Sequence, residues 1–301
     1  MAVQGQTVSA ISGSPAANLS VVVGNYRGVT TNADGEFNVD GARPGTYSMR
    51  VRGDSIVDRD TTIAAAGTPA RVSVIPSAFD LTAFDEMFRA ENARLQRWTS
   101  QPSLVIVAST MAFRSMSDDT FQASGEQMTE GEVALLLSHM NEGLVLHSGG
   151  TYSSFLTVEI ERPAAGERVS VLRTGKIVVG RYTGIESLAN TIGYGRWSTA
   201  SDGTVVGGAI FLDRDFDRGD GRRRLLRLHE LGHALGYQHV KSRTSIMNPA
   251  VGPEPTEFDR SGAIIAFQRP PGNRSPDLDP SPTTRLGASG PGRWSDPTIC
   301  R

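Results

Sequence analysis

The sequence predicts an α+β protein, with a small all-β domain ahead of a larger domain of helices and strands. Two patterns predict it. From Thr7 to Ile75, short runs of β-forming residues such as Leu19 to Val23 and Thr46 to Val51 are separated by turn signals. From Pro102 onward, a buried-type strand, an amphipathic helix, a series of strand-like runs and a second helix follow one another. A length of 301 residues suits two domains.

In the first part, residues 1–78, Asp34-Gly35 reads as a tight turn between Val29-Thr30-Thr31 and Phe37-Asn38-Val39, and Pro44-Gly45 as another. A linker helix is expected within residues 79–101. Over Asp80 to Trp98 the residues Phe84, Met87, Phe88, Leu95 and Trp98 make one apolar stripe, with Thr82 and Asp85 as the cap. The larger domain spans 102–270. Leu104-Val105-Ile106-Val107 reads as a buried strand. Thr129 and Glu132 form a capping box that opens a helix with Val133, Leu136, Leu137, Met140 and Leu144 on one face. His139 falls on the opposite, solvated face, and His147 at the end. Strands are expected at Phe155 to Ile160, Arg168 to Leu172, Lys176 to Tyr182, Thr191 to Trp197 and Val205 to Leu212, with Thr174-Gly175 turning a hairpin.

Asp213, Asp215, Asp217 and Asp220 form an acidic cluster. Alternating carboxylates can bind Ca²⁺ through oxygen, although this spacing is not that of an EF-hand; the alternative is a solvated loop in which Asp220 caps the next helix. That helix, Arg222 to Leu235, repeats leucine at Leu225, Leu228, Leu231 and Leu235. A short helix is expected around Arg260 to Phe267. Residues 271–301, rich in Pro, Gly, Ser and Asp, read as an extended or disordered tail.

Thirty basic against 32 acidic residues give a net charge of −2, which argues against nucleic acid as a partner of Arg222, Arg223 and Arg224. No apolar run is long enough to span a bilayer. A single cysteine, Cys300, excludes an internal disulfide framework and suits either the cytosol or an exported bacterial protein. The expectation is a secreted, periplasmic or cell-surface protein whose signal peptide is not part of this chain, with the cytosol as the alternative. Oligomeric state is not legible.

The chemistry is concentrated in His229-Glu230-Leu231-Gly232-His233-Ala234-Leu235-Gly236-Tyr237-Gln238-His239, which holds three of the five histidines. Positions four apart on a helix share a face, so His229 and His233 can point at one ion. Gly236 can adopt the left-handed conformation that ends the helix, bringing His239 back as a third ligand. Three imidazoles suit Zn²⁺ and leave a fourth position for water, the pattern of a catalytic site. Glu230 then sits beside the metal as general base.

With that motif the chain resembles the metzincin clan of zinc peptidases. Ser245-Ile246-Met247-Asn248-Pro249 resembles its methionine turn, which makes Met247 an apolar floor under the histidines and not a ligand. Met247 with Pro249 is similar to matrixins, and Ser245-Ile246-Met247 to astacins. Pro249 stands where astacin-like enzymes have a tyrosine, which leaves oxyanion stabilisation to zinc. The matrixin cysteine switch is missing, because Cys300 lies after the motif, so any latency must work another way. The resemblance implies a twisted mixed sheet above the active-site helix, a last helix below it, and an antiparallel edge strand that binds a peptide or protein substrate, here Ile192 to Trp197 with Gly193, Tyr194 and Gly195. Separately, Gly28 to Phe37 with Pro44-Gly45-Thr46-Tyr47 is similar to carboxypeptidase regulatory-like β-sandwich modules, which are accessory. The expectation is a zinc endopeptidase. The alternatives are a binding or adhesion protein with an inactive zinc domain, or a zinc amidase acting on cell-wall peptide.

Overall fold

The computed structural model describes residues 2–65, 67–90, 93–281 and 292–300. The chain is α+β. Its first part holds β1 (Ala2–Ser9), β2 (Ser20–Val23), β3 (Val29–Thr30), β4 (Glu36–Asp40), β5 (Gly45–Arg52), β6 (Arg59–Ala65) and β7 (Ala70–Val74). They form two small sheets, ordered β4-β1-β7 and β3-β2-β5-β6. Alternating residues of each, including Val3, Val39 and Val72 from one and Val21, Met49 and Ile63 from the other, bury into a shared core. Asp34-Gly35 does turn the chain, with Gly35 at φ +73° and its N–H on the Asn32 carbonyl. The runs on either side belong to different sheets, so the turn is a crossover between sheets.

The linker helix α1 (Leu81–Phe88) is less than half the expected length. Asp80, not Thr82, caps it by accepting the Ala83 N–H at 3.0 Å. Beyond it the backbone of Leu95 exchanges hydrogen bonds with Asn273 and Gly272. This pairing replaces further helical turns, and Leu95 and Trp98 reach the core without belonging to the helix.

The remaining elements are β8 (Ser103–Ala112), β9 (Thr120–Gln127), α2 (Glu130–His147), β10 (Val158–Glu161), β11 (Arg168–Ser170), β12 (Lys176–Thr183), α3 (Ile185–Ala189), β13 (Gly193–Thr199), β14 (Val205–Asp213), α4 (Arg214–Gly219), α5 (Arg223–Ala234), α6 (Glu257–Phe267), β15 (Arg293–Trp294) and β16 (Thr298–Cys300). One mixed sheet runs β11-β9-β8-β12-β14-β13-β15, with β10 also paired to β8 and β16 to β13. β8, β12 and β14 are parallel and β13 is antiparallel to β14. The parallel strands are apolar on both faces, as a sheet covered on both sides requires. α2 and α5 pack on the face lined by Leu104, Ile106, Ile177 and Ile210; the opposite face holds a second core around Phe121, Tyr182, Tyr194 and Phe211.

Two further expectations change, and one strand went unforeseen. Thr174-Gly175 turns the chain but makes no hairpin: β11 pairs with β9, and β12 lies between β8 and β14. β9 was not legible, because only Phe121 and Ala123 along it are buried. The segment after Arg269 is not uniformly a loose tail. Residues 270–280 fold back onto the first part, and 292–300 supply β15 and β16; residues 282–291 lie outside the described residues.

The two parts are joined by a buried charge cluster. Asp277 accepts Arg59 Nη1 at 2.8 Å, Arg269 Nε at 2.7 Å and Asn273 Nδ2 at 3.0 Å. Asp279 accepts Arg59 Nη2 at 2.8 Å and the Thr61 hydroxyl at 2.7 Å. Each buried charge thus has an opposite charge in hydrogen-bond contact, the condition under which burial is tolerable. Among the described residues, no helix is long and apolar enough to cross a membrane.

Candidate metal centre

α5 is held under β13 and β14 by a wholly buried apolar face that includes Leu226, Leu228 and Leu231. Its charged side is anchored as well. Arg227 makes a two-point contact with Asp217, and Arg181 from β12 reaches the same carboxylate at 2.6 Å. Asp220 is not the N-cap. Arg222 occupies that position, and Asp220, two residues earlier, accepts the Arg222 N–H at 2.7 Å.

The helix presents His229 and His233 one turn apart and stops at Leu235. Gly236 takes φ +104°, a value that L side chains rarely adopt, and the chain reverses there. The reversal does two things. It returns His239 to the site, and it turns the Tyr237 carbonyl back onto His233 Nδ1 at 2.7 Å. His229 Nδ1 likewise meets the Ile246 carbonyl at 2.6 Å. A carbonyl only accepts, so in both rings the proton resides on Nδ1 and Nε2 presents a lone pair.

The three Nε2 atoms converge. His229 and His233 are 3.0 Å apart, His233 and His239 3.2 Å, and His229 and His239 3.3 Å. Tetrahedral ligands at roughly 2.0–2.1 Å from one zinc lie about 3.3–3.4 Å from each other. Lone pairs placed this close repel unless a cation lies between them, so the donor set fits a metal. Burial keeps the rings neutral: it lowers His229 to about 3 and His239 to about 4, and pushes His233 far below the ordinary histidine range. Neutral imidazole is the ligand form. Among the described residues this is the one cluster of His, Cys, Asp or Glu able to hold an ion.

Glu230, next to His229 on α5, is fully buried. A Cβ added to Gly193 would lie 3.1 Å from its Oε1, and one added to Gly195 would lie 2.4 Å from the Cβ of His233. β13 therefore rests directly on the histidine-bearing stretch of α5, a close approach that the missing side chain of Gly195 makes possible. Tyr194, between them, points the other way and stacks on Phe211 with centroids 4.2 Å apart. Gly193 and Gly195 thus border the site, and the Tyr194 side chain does not.

Met247 is fully buried below α5. A Cβ on Gly232, between the two helix ligands, would meet its Sδ at 2.5 Å. Its turn is closed by Asn248 N–H on Ser245 O at 3.2 Å. The turn is fixed from α6: Asp259 Oδ2 accepts the Ile246 N–H at 3.2 Å, and Asp259 Oδ1 takes the Ser245 hydroxyl. Asp259 was overlooked in the sequence, although Thr256 and Asp259 at i, i+3 form a capping box that could have shown it.

The remaining histidines and the acidic cluster do not join the site. His147 is buried, donates from Nε2 to the Leu228 carbonyl at 2.9 Å and packs edge-on against Tyr237. His139 is half-buried, not solvated, and accepts Arg227 Nη1 at 3.1 Å. Nor does the acidic cluster gather round one point. Asp213 caps α4, Asp215 faces Arg214, and Asp217 is held by two guanidinium groups, which leaves no set of converging carboxylates for calcium.

Compared with known proteins, the chain matches no family model and no curated protein.

Proposed function

We propose that the chain is a zinc-dependent endopeptidase of the metzincin type. The observation that carries this reading is the convergence of three Nε2 lone pairs at 3.0–3.3 Å, oriented by carbonyls on Nδ1, with Glu230 buried on the same helix next to His229. His229, His233 and His239 would hold the ion. Three nitrogen ligands with one open position suit catalytic zinc. When bound, zinc supplies Lewis acidity: it polarises the scissile carbonyl and lowers the pKa of water towards roughly 7.

The protein's own groups do the rest. Glu230 accepts the proton of the attacking water and passes it to the leaving amine, so that one carboxylate serves both halves of the reaction. Burial on α5 under β13 holds that carboxylate in one place, and no reorganisation is needed when charge develops. An extended peptide would lie against β13, whose glycines bring the sheet edge down to the metal-bearing turn. Met247 and Asp259 support the ligand rings from below. The two-sheet N-terminal part has its own core and contributes no residue to the centre, as expected of an accessory module.

Digestion of a peptide library by the zinc-loaded protein, with and without a chelator, tests this reading. Chelator-sensitive cleavage of internal peptide bonds supports it. Hydrolysis confined to cell-wall cross-link peptides would favour the amidase alternative. Binding without any hydrolysis would favour an adhesion role.

A further inference from the structure

The outer edge of β13, where a peptide substrate would add, already carries a segment of the same chain. β16 pairs with it antiparallel, with Gly193 opposite Cys300, Tyr194 opposite Ile299 and Gly195 opposite Thr298. Further along the same edge, β15 places Trp294 opposite Ser198 and Arg293 opposite Thr199. Ser295 between them is a clasp. Its N–H donates to the Trp197 carbonyl at 2.7 Å, and its hydroxyl accepts the Trp197 N–H at 3.1 Å. Its own carbonyl accepts Arg196 Nε at 3.1 Å.

The docked stretch lies beside the metal centre. Gly193 and Gly195 are the residues whose missing side chains let β13 touch Glu230 and His233, and they are the residues that β16 faces. A strand paired there sits about 4.8 Å from β13. Strand addition by an incoming peptide needs the same outward N–H and C=O groups, so segment and substrate exclude one another.

We propose that residues 293–300 act as an internal pseudosubstrate that keeps the peptidase latent, and that cleavage of other chains requires their displacement from β13. This rests on the peptidase reading. It explains how latency can exist in a chain with no cysteine ahead of the zinc motif. The pairings are short, two and three residues long, which makes the latch reversible.

The test uses the full zinc-loaded chain and a form carrying both Thr298→Pro and Ile299→Pro. Adjacent residues of a strand direct their N–H groups to opposite edges, so one of the two prolines must remove a bond to β13. Hydrogen exchange at residues 193–195 and cleavage of a fluorogenic peptide library are measured together. The expected result is faster exchange there and at least tenfold faster cleavage. A synthetic peptide of sequence 293–300 added in trans should reverse both. Ser295→Ala, which removes one clasp bond, should show the same changes at smaller size and guards against a misfolded double variant.

Unchanged protection of β13 in both variants would overturn the latch. So would an exposed β13 with cleavage no faster than in the parent, and that result would leave the peptidase reading standing. If every form binds one zinc and β13 opens as expected, yet none cleaves any peptide, the peptidase reading fails and the latch with it.

Discussion

Asp259 and His229 are coupled through a single residue. The Asp259 carboxylate accepts the Ile246 N–H at 3.2 Å, and the Ile246 carbonyl accepts the His229 Nδ1–H at 2.6 Å. A side chain on α6 thereby sets the direction in which a ring on α5 presents its lone pair. Hydrogen bonds behind a ligand ring typically change metal affinity by about 10–100-fold. Asp259→Ala should therefore weaken zinc binding by that order while leaving all three imidazoles in place. Competition against a graded series of chelators measures it; unchanged affinity would mean that the turn holds its shape without α6.

Glu230→Gln retains shape but cannot take a proton. The expected outcome is full zinc occupancy with a loss of roughly 10²–10⁴-fold in turnover, the usual contribution of a positioned general base. Elemental analysis and peptide-cleavage kinetics on one preparation check both halves. Turnover equal to that of the parent would remove Glu230 from the chemistry.

The Arg59–Asp277–Arg269 cluster is ion-paired and buried. Asp277→Ala leaves two guanidinium groups without their shared carboxylate, a change that typically costs about 3–5 kcal/mol. Because Arg59 belongs to β6 and Arg269 follows α6, the two-sheet part should also uncouple. Thermal unfolding of Asp277→Ala is expected to begin lower and to split into two transitions. A single transition at the parental temperature would show that the parts are joined by other contacts.

Glu132 supplies a pH dependence away from the metal. Burial opposes its charge, but hydrogen bonds from the Thr129 amide and the Arg181 guanidinium outweigh burial and lower it from the ordinary 4.5 to about 2. The folded state therefore prefers the carboxylate. Its stabilisation is complete above pH 4.5 and disappears as pH falls towards about 2. Glu132→Gln should lower the melting temperature at neutral pH and converge on the parent near pH 2. An equal difference at every pH would assign the effect to packing.

The histidine cluster was legible because its spacing is local. Two ligands and the base lie within one helical turn, and the glycine that reverses the chain follows three residues later. The Thr129–Glu132 capping box and the helix it opens were legible for the same reason. Contacts between distant segments were not. Asp259 acts on His229 only through the folded methionine turn, and Asp217 is drawn to Arg181 and Arg227 by burial that no spacing announces. α1 ends at Phe88, and Leu95 beyond it takes its backbone partners at Gly272 and Asn273, far away in sequence. The compositional bias after Arg269 concealed a segment whose order comes from pairing with β13 and from the Asp277 cluster.

The central claim is that three imidazoles hold one zinc ion with a position left for chemistry. X-ray absorption at the zinc edge, on protein loaded with one equivalent, tests it most directly. Three imidazole nitrogens at about 2.0–2.1 Å and one further light atom are expected, with the signal lost in His233→Ala. Failure to retain stoichiometric zinc, or a spectrum with fewer than three imidazoles, would contradict it.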